Sequence, residues 1–291
     1  MTTIAFIGFG EAGRAFTDTL RDKGGTVSAA YDRIDSPNMA AAMSDRSVRQ
    51  AGDPGAAAEG ADWIVSAVTA DQSFIAIETL APHLVQGQVV FDINSVSPDR
   101  KRASAELVEA RGAHYIDMAV MAPVHPRGHA TPTLVAGGQA AALTETLCDL
   151  GFAHEVVSDA AGDATAVKMV RSLFVKGLEA ITVETLLAAE ASGCFARVLA
   201  SLEKSHPSFG WPDQAVYNFE RTLRHGTRRA AEMDESASTL SALGLNGGLA
   251  AEVARIQRMM GALDAADLAE GDLSEVARAV AARRLTAGGD A

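Results

Sequence analysis

The chain has 291 residues, 48% of them hydrophobic and 21% charged, a globular composition with room for one large domain or two ordinary ones. Its 37 acidic and 25 basic residues give a formal net charge of −12 with no long basic block, so a nucleic-acid partner has little electrostatic support. No apolar stretch is long enough to span a bilayer, and Met1 to Thr3 run straight into an apolar segment with no room for a leader, so a cytoplasmic protein with no membrane partner is expected.

The first element carries the strongest signal. Residues 4–13 read IAFIGFGEAG, a strand-like run that breaks into Gly8, Gly10 and Gly13 ahead of helix-compatible sequence. In this spacing the first glycine permits a tight turn, the second removes the side chain that would block a pyrophosphate, and the third lets the helix pack on the sheet. The helix start, through Phe9, Glu11 and Ala12, then offers N–H groups and a partial positive charge to phosphates. A second strand-like run, Thr26–Tyr31, ends at Asp32, where a carboxylate accepts from the adenosine ribose hydroxyls. That acid favours NAD, while Arg33 beside it keeps NADP possible.

Apolar runs recur at 4–7, 27–31, 63–68, 89–93, 114–117, 133–136 and 154–157, with helical stretches at 14–23, 71–84 and 100–111. The alternation predicts βαβ units in a doubly wound, mostly parallel sheet. Ala67, Val68 and Thr69 end one strand, and Asn94 and Ser95 another, at the carboxyl edge where such sheets place ligands. Ser97 before Pro98 reads as a helix N-cap followed by proline at the first helical position. Cys148 and Cys194 lie in helix-like settings with no histidines at ligand spacing, so reduced thiols and no metal are expected.

After Asp163 the pattern becomes helical. One long helix is predicted over about 164–192, stopped near Gly193. Helix-forming segments follow at 201–204, 213–229, 230–243, 249–263 and 273–284, with breaks at 206–211 and 244–248 and a frayed tail from Thr286. The expected domains are therefore 1–161 and 162–291.

Four further segments, in order, resemble the β-hydroxyacid dehydrogenase family, which includes 3-hydroxyisobutyrate dehydrogenases and, more distantly, 6-phosphogluconate dehydrogenase. The likeness is strongest over 1–193. It implies an N-terminal Rossmann domain, an all-α substrate and dimerisation domain, a small anionic substrate and a homodimer. FDINSVSP at 91–98 is similar to the family's strand-end pattern and would put Ser95 near the nicotinamide and the substrate. The segment from Asp117 to Gly138 resembles the substrate segment, which opens Asp-Ala-Pro-Val-Ser-Gly-Gly; here it opens DMAVMAP and closes on Gly137-Gly138. Met121 replaces the family's serine and Ala122-Pro123 its glycine pair, and proline has no N–H for a carboxylate. His125, Arg127 and His129 follow in a loop expected to overhang the nicotinamide, as anion-binding groups or as solvated loop residues.

GDATAVKMVRS at 162–172 resembles the motif GxGxxxKxxxN that carries the family's catalytic lysine: Lys168 matches it, and Ser172 replaces the asparagine. At about 100° per residue, Lys168, Ser172, Lys176 and Glu179 share one face. Val167, Met169, Val170, Leu173, Phe174 and Leu178 fill most of the rest, which predicts a helix buried on several sides. The polar face is either a solvated stripe with a Lys176–Glu179 pair or a cleft lining in which desolvation brings Lys168 into the range for proton transfer and Lys176 meets substrate. The fourth segment, ETLLAAEASG at 184–193, matches the family's continuation of this helix; its Glu184 faces elsewhere and is read as structural. Val175 stands where 6-phosphogluconate dehydrogenases have a second acid, against decarboxylating chemistry, and Arg228-Arg229 with Glu232 loosely match a Lys-Asp pair of the family.

The expected function is NAD(P)-dependent hydride transfer on a small hydroxy acid or its oxo acid or aldehyde, with Lys168 as acid/base and Ser172 assisting. A non-catalytic dinucleotide sensor and an imine reductase are the alternatives.

Overall fold

The computed structural model describes residues 2–263, 265–269 and 271–287, so the last part of the expected frayed tail, 288–291, lies outside the described residues. The chain forms two compact units, residues 1–169 and 170–291.

The first unit runs β1 (Thr3–Ile7), α1 (Glu11–Arg21), β2 (Thr26–Tyr31), α2 (Pro37–Ser44), β3 (Arg49–Gln50), α3 (Pro54–Ala58), β4 (Trp63–Ser66), α4 (Ser73–Leu80), β5 (Val89–Asp92), α5 (Pro98–Glu109), β6 (His114–Val120), β7 (Thr133–Ala136), α6 (Thr144–Asp149) and β8 (His154–Ser158). These strands form one sheet in the order β3-β2-β1-β4-β5-β6-β7-β8, parallel except where β6 meets β7. Strand β3 was not expected: it is two exposed polar residues, with no apolar alternation to announce it.

Side chains alternate across the sheet. Ile4 and Phe6 join a core with Phe16, Trp63, Phe91 and Phe152 under α1. Ala5 and Ile7 face the opposite core, with Ile64, Ile77, Leu80 and Val108 under α3, α4 and α5. Both faces being covered explains why β1, β4 and β5 read as continuous apolar runs. The order turns back at β1: the chain leaves it for β2 on one side and returns to β4 on the other. A crevice therefore opens at the carboxyl ends of β1 and β4.

Helix α7 (Asp163–Ala191) begins in the first unit and continues into the second, so the division falls within it, not at its start, where the sequence reading put the boundary. Gly193, at φ +66°, follows its end. Then come α8 (Phe195–Ser205), α9 (Asp213–Ala242), α10 (Gly248–Gly261) and α11 (Leu273–Ala287), with no strand among the described residues. The two segments expected over 213–243 are one helix. Helices α9 and α10 touch backbone to backbone where a Cβ on Gly226 would stand 2.2 Å from the Gln257 carbonyl oxygen. Val183, Leu186, Phe219, Met260, Val276 and Val280 form the largest core of this unit.

One expectation holds only in part on α7: Met169 is buried and Leu173 packs on a core, but Val167, Val170 and Phe174, together with Ile181, are exposed and are not covered by the described residues. No described helix is long and apolar enough to cross a membrane.

Candidate active site

The three glycines differ in what surrounds them. Gly8 has φ +92°, and a Cβ there would stand 2.3 Å from the Ala67 carbonyl oxygen, so the turn between β1 and α1 lies directly against the end of β4. Gly13 faces the turn itself, its Cβ position 2.8 Å from the Gly8 oxygen. At Gly10, the N-cap of α1, a Cβ would meet nothing within 4 Å. The open side of the turn is thus the side of the helix N-terminus, and the fit to a dinucleotide pyrophosphate is good.

Asp32 is braced to this turn. The Phe9 N–H donates to Oδ2 (2.7 Å) and the Ile34 N–H to Oδ1 (2.9 Å), which fixes the carboxylate at the end of β2 with lone pairs left over. Phe9 itself is a core side chain, so only its backbone serves the turn. Glu11 is exposed and Ala12 half-buried at the helix start. Arg33 reaches Gln72 Oε1 (3.2 Å) across the crevice mouth. Next to it, bonds from Thr69 and Gln72 hold the Asp71 carboxyl below its usual range.

At the end of β5 the structure separates two neighbours that the sequence grouped together. Asn94 is buried: its Oδ1 accepts from the Val68 N–H (2.7 Å) and its Nδ2 donates to Ser66 Oγ (2.9 Å) and Ser73 Oγ (3.3 Å). Its side chain thus braces β5 to β4. Ser95 is half-buried, and Lys168 Nζ donates to its Oγ at 2.6 Å. Lys168 sits in the second turn of α7, so the motif's lysine and the strand-end serine meet within the first unit.

Beneath that pair lies a group of charges that sequence reasoning missed. Asp92 and Asp117 are paired across the parallel β5–β6 ladder, and Lys101 of α5 reaches between them. Its Nζ is 2.9 Å from Asp92 Oδ1 and 3.4 Å from Asp117 Oδ1, with all three side chains fully buried. Tyr115 donates its hydroxyl to Asp92 Oδ2 (2.7 Å); burial, reinforced by the two carboxylates, pushes its pKa up and keeps the phenol protonated. Asp117 accepts from the Thr165 N–H and hydroxyl, both at 2.8 Å. A signal existed: Lys101 shares the buried face of α5 with Ala105 and Val108, at spacings of four and seven.

The loop after β6 departs from expectation. His129 is a core residue: it packs on Phe152, bonds Thr19 Oγ1 (2.7 Å) and the Leu150 oxygen (2.9 Å), and burial lowers its pKa. A Cβ on Gly128 would strike Thr19 Oγ1 at 2.1 Å, so this half of the loop lies on α1 and not over the crevice. The Met121 N–H is taken by the Pro132 oxygen (2.9 Å). Ala122, Pro123, His125 and Arg127 are exposed.

Further along α7, in the second unit, Ser172 and Lys176 are buried together. Lys176 Nζ donates to Ser172 Oγ (3.1 Å) and Glu232 Oε2 (2.9 Å). Glu179 pairs with Arg229 and accepts from Gln257, so the i,i+3 pair Lys176–Glu179 does not form and the stripe is not solvated. Helix α9 supplies both counterions, which no spacing within α7 could reveal. Glu184 pairs with Arg284 of α11, a structural contact.

A glycine turn at the switch point of a doubly wound sheet, an acid at the end of β2 and a helical second unit define a nucleotide-binding dehydrogenase fold. The NAD binding domain of 6-phosphogluconate dehydrogenase matches residues 3–150, and a domain of unknown function, DUF1932, matches 189–260. The chain belongs to the β-hydroxyacid dehydrogenase family, as a divergent member that uses NAD(P). It is similar to a conserved hypothetical protein of Sinorhizobium meliloti 1021 at 34% identity, covering 97% of each chain with a TM-score of 0.75. It is 25% identical to an NAD-dependent L-serine dehydrogenase of Pseudomonas aeruginosa over 75% of this chain and 74% of that one. The fold matches a Mycobacterium tuberculosis 3-hydroxyisobutyrate dehydrogenase with a TM-score of 0.73 at 20% identity, over 96% and 99% of the two chains.

Proposed function

We propose that the protein transfers hydride between a nicotinamide dinucleotide and a small hydroxy acid, or its oxo acid or aldehyde, with Lys168 as the general acid/base. The observation that carries this reading is the 2.6 Å bond from Lys168 Nζ to Ser95 Oγ at the carboxyl edge of the same unit that holds the glycine turn. Nicotinamide supplies the hydride acceptor or donor. In oxidation Lys168 takes the hydroxyl proton as the neutral amine, and in reduction it returns that proton as the ammonium, while Ser95 aligns its Nζ and shares the substrate hydroxyl. Asp32 favours NAD, since its carboxylate repels a 2′-phosphate.

Lys176 enters this reading as an internal ion-pair partner of Glu232, not as a free substrate cation. Ser172 holds Lys176. The substrate carboxylate is left to the exposed segment around Ala122 and His125, with His125 standing in for the N–H groups that Pro123 cannot offer. The protein acts as a homodimer, supported by the exposed apolar side of α7.

Stabilisation by NADH and NADPH is compared first, followed by turnover of a panel that begins with L-serine and 3-hydroxyisobutyrate. Lys168→Ala should keep NADH affinity and lose about 10²- to 10⁴-fold in kcat. NADH binding with no turnover of any hydroxy or oxo acid would favour a sensor. Turnover of cyclic imines with Lys168→Ala unimpaired would favour imine reduction.

A further inference from the structure

We propose that Asp117, with Lys101 and Asp92, is a positioning residue whose role is to set the rotation of α7, so that Lys168 points at Ser95. The inference rests on Lys168 as the acid/base, although its first readout does not require turnover.

The contacts close a ring. Asp92 Oδ1 accepts from the Asn94 N–H (2.9 Å), which shapes the strand end that presents Ser95. Lys101 Nζ also donates to the Asp92 carbonyl oxygen (2.6 Å) and connects Asp92 to Asp117. Asp117 takes both donors of Thr165, one turn before Lys168 on the same side of α7. Lys168 then returns to Ser95. Each half of the proton-transfer pair is thus tied to the same buried charges.

Charge explains why α7 can approach only one way. Two carboxylates face one ammonium, leaving an excess negative charge at the middle of β6, beside the end of β5. The first turn of α7 brings the Thr165 N–H and the positive end of its dipole to that charge. Thr165 fixes the azimuth as well, because a helix turned by one residue moves every side chain by about 100° and would carry Lys168 away from Ser95. Stability alone does not call for such a cluster, since apolar side chains fill buried space at least as well as ions do.

The test uses the full chain. Acylation of Lys168 by acetic anhydride is followed across pH by peptide mass spectrometry in wild type, Asp117→Asn, Thr165→Val and Thr165→Ser, beside NADH titrations. Asp117→Asn and Thr165→Val should raise the Lys168 acylation rate at neutral pH about three- to tenfold, the factor that one lost hydrogen bond represents. Thr165→Ser, which keeps the hydroxyl, should restore the wild-type profile, and NADH affinity should stay within about twofold in all. With an identified substrate, kcat should fall roughly tenfold or more in the first two variants with KM little changed. If Asp117→Asn does not fold, the Thr165 pair decides alone. A folded Asp117→Asn or Thr165→Val with the wild-type Lys168 profile, or Thr165→Ser no better than Thr165→Val, overturns the proposal. Full turnover by Lys168→Ala would instead sink the acid/base reading and leave the labelling result standing.

Discussion

Alanine at Gly10 should separate cofactor binding from folding. Gly10 has φ −74° and ψ −151°, extended and outside the left-handed region, and its Cβ would meet nothing within 4 Å. Two small effects then oppose each other. Removing a glycine's freedom in the unfolded chain stabilises by about 0.4–1 kcal/mol, while alanine is a poorer N-cap than glycine by some tenths up to about 1 kcal/mol. The net change should stay within about 1 kcal/mol of zero. The methyl group nevertheless stands over the α1 N-terminus, where a pyrophosphate needs close approach. Losing one or two hydrogen bonds to charged oxygens, at about 1.5–3 kcal/mol each, weakens binding roughly 10- to 1000-fold or more.

Gly8→Ala supplies the contrast. A left-handed alanine costs about 1–3 kcal/mol, and a methyl group 2.3 Å from the Ala67 oxygen adds overlap of about the same size. Urea unfolding and NADH fluorescence titration of both variants measure the two effects. Gly10→Ala binding NADH like wild type, or unfolding as early as Gly8→Ala, would refute the assignment of the turn's open side.

Three further outcomes are expected. His129 has its pKa lowered, chiefly by burial, so the ring folds neutral and the unfolded chain takes up the proton first as pH falls. Its contribution is complete above the ordinary value of about 6.5 and is lost as pH drops toward the folded pKa; urea midpoints from pH 8 to 5.5 should fall more steeply for wild type than for His129→Gln. Gly226→Ala should destabilise the helical unit by about 2–4 kcal/mol in calorimetry, because the Gln257 backbone 2.2 Å from the new Cβ must move and α9 and α10 part. Phe174→Asp, at a side chain 72% exposed on the bare side of α7, should lower the sedimentation mass from the proposed dimer to a monomer without loss of helix content; a monomeric wild type, or an unchanged mass in the variant, would refute the proposed α7 contact.

Local physics made much of the first unit legible. A strand buried on both faces must be an unbroken apolar run, and a turn at φ +92° against the Ala67 backbone must be glycine, so β1, Gly8, Gly10 and Gly13 could be read in order. The helix that carries Lys168 was legible through its periodicity, and the lysine was singled out by resemblance to the family's motif. What failed depended on neighbours far along the chain. The loop histidine His129 gave no sign that Thr19 and Leu150 would enclose it. Lys176 and Glu179 fit a surface pair by spacing, until α9 brought Glu232 and Arg229 to them.

The sequence by itself determined the alternation of elements, the dinucleotide turn and the lysine helix, because each rests on periodicity or on a backbone constraint within about ten residues. Only the tertiary structure decided which charges are buried and with whom. Asp92, Lys101, Asp117 and Thr165 come from two strands and two helices, and their pairing arises from sheet register and helix packing, which no single segment encodes.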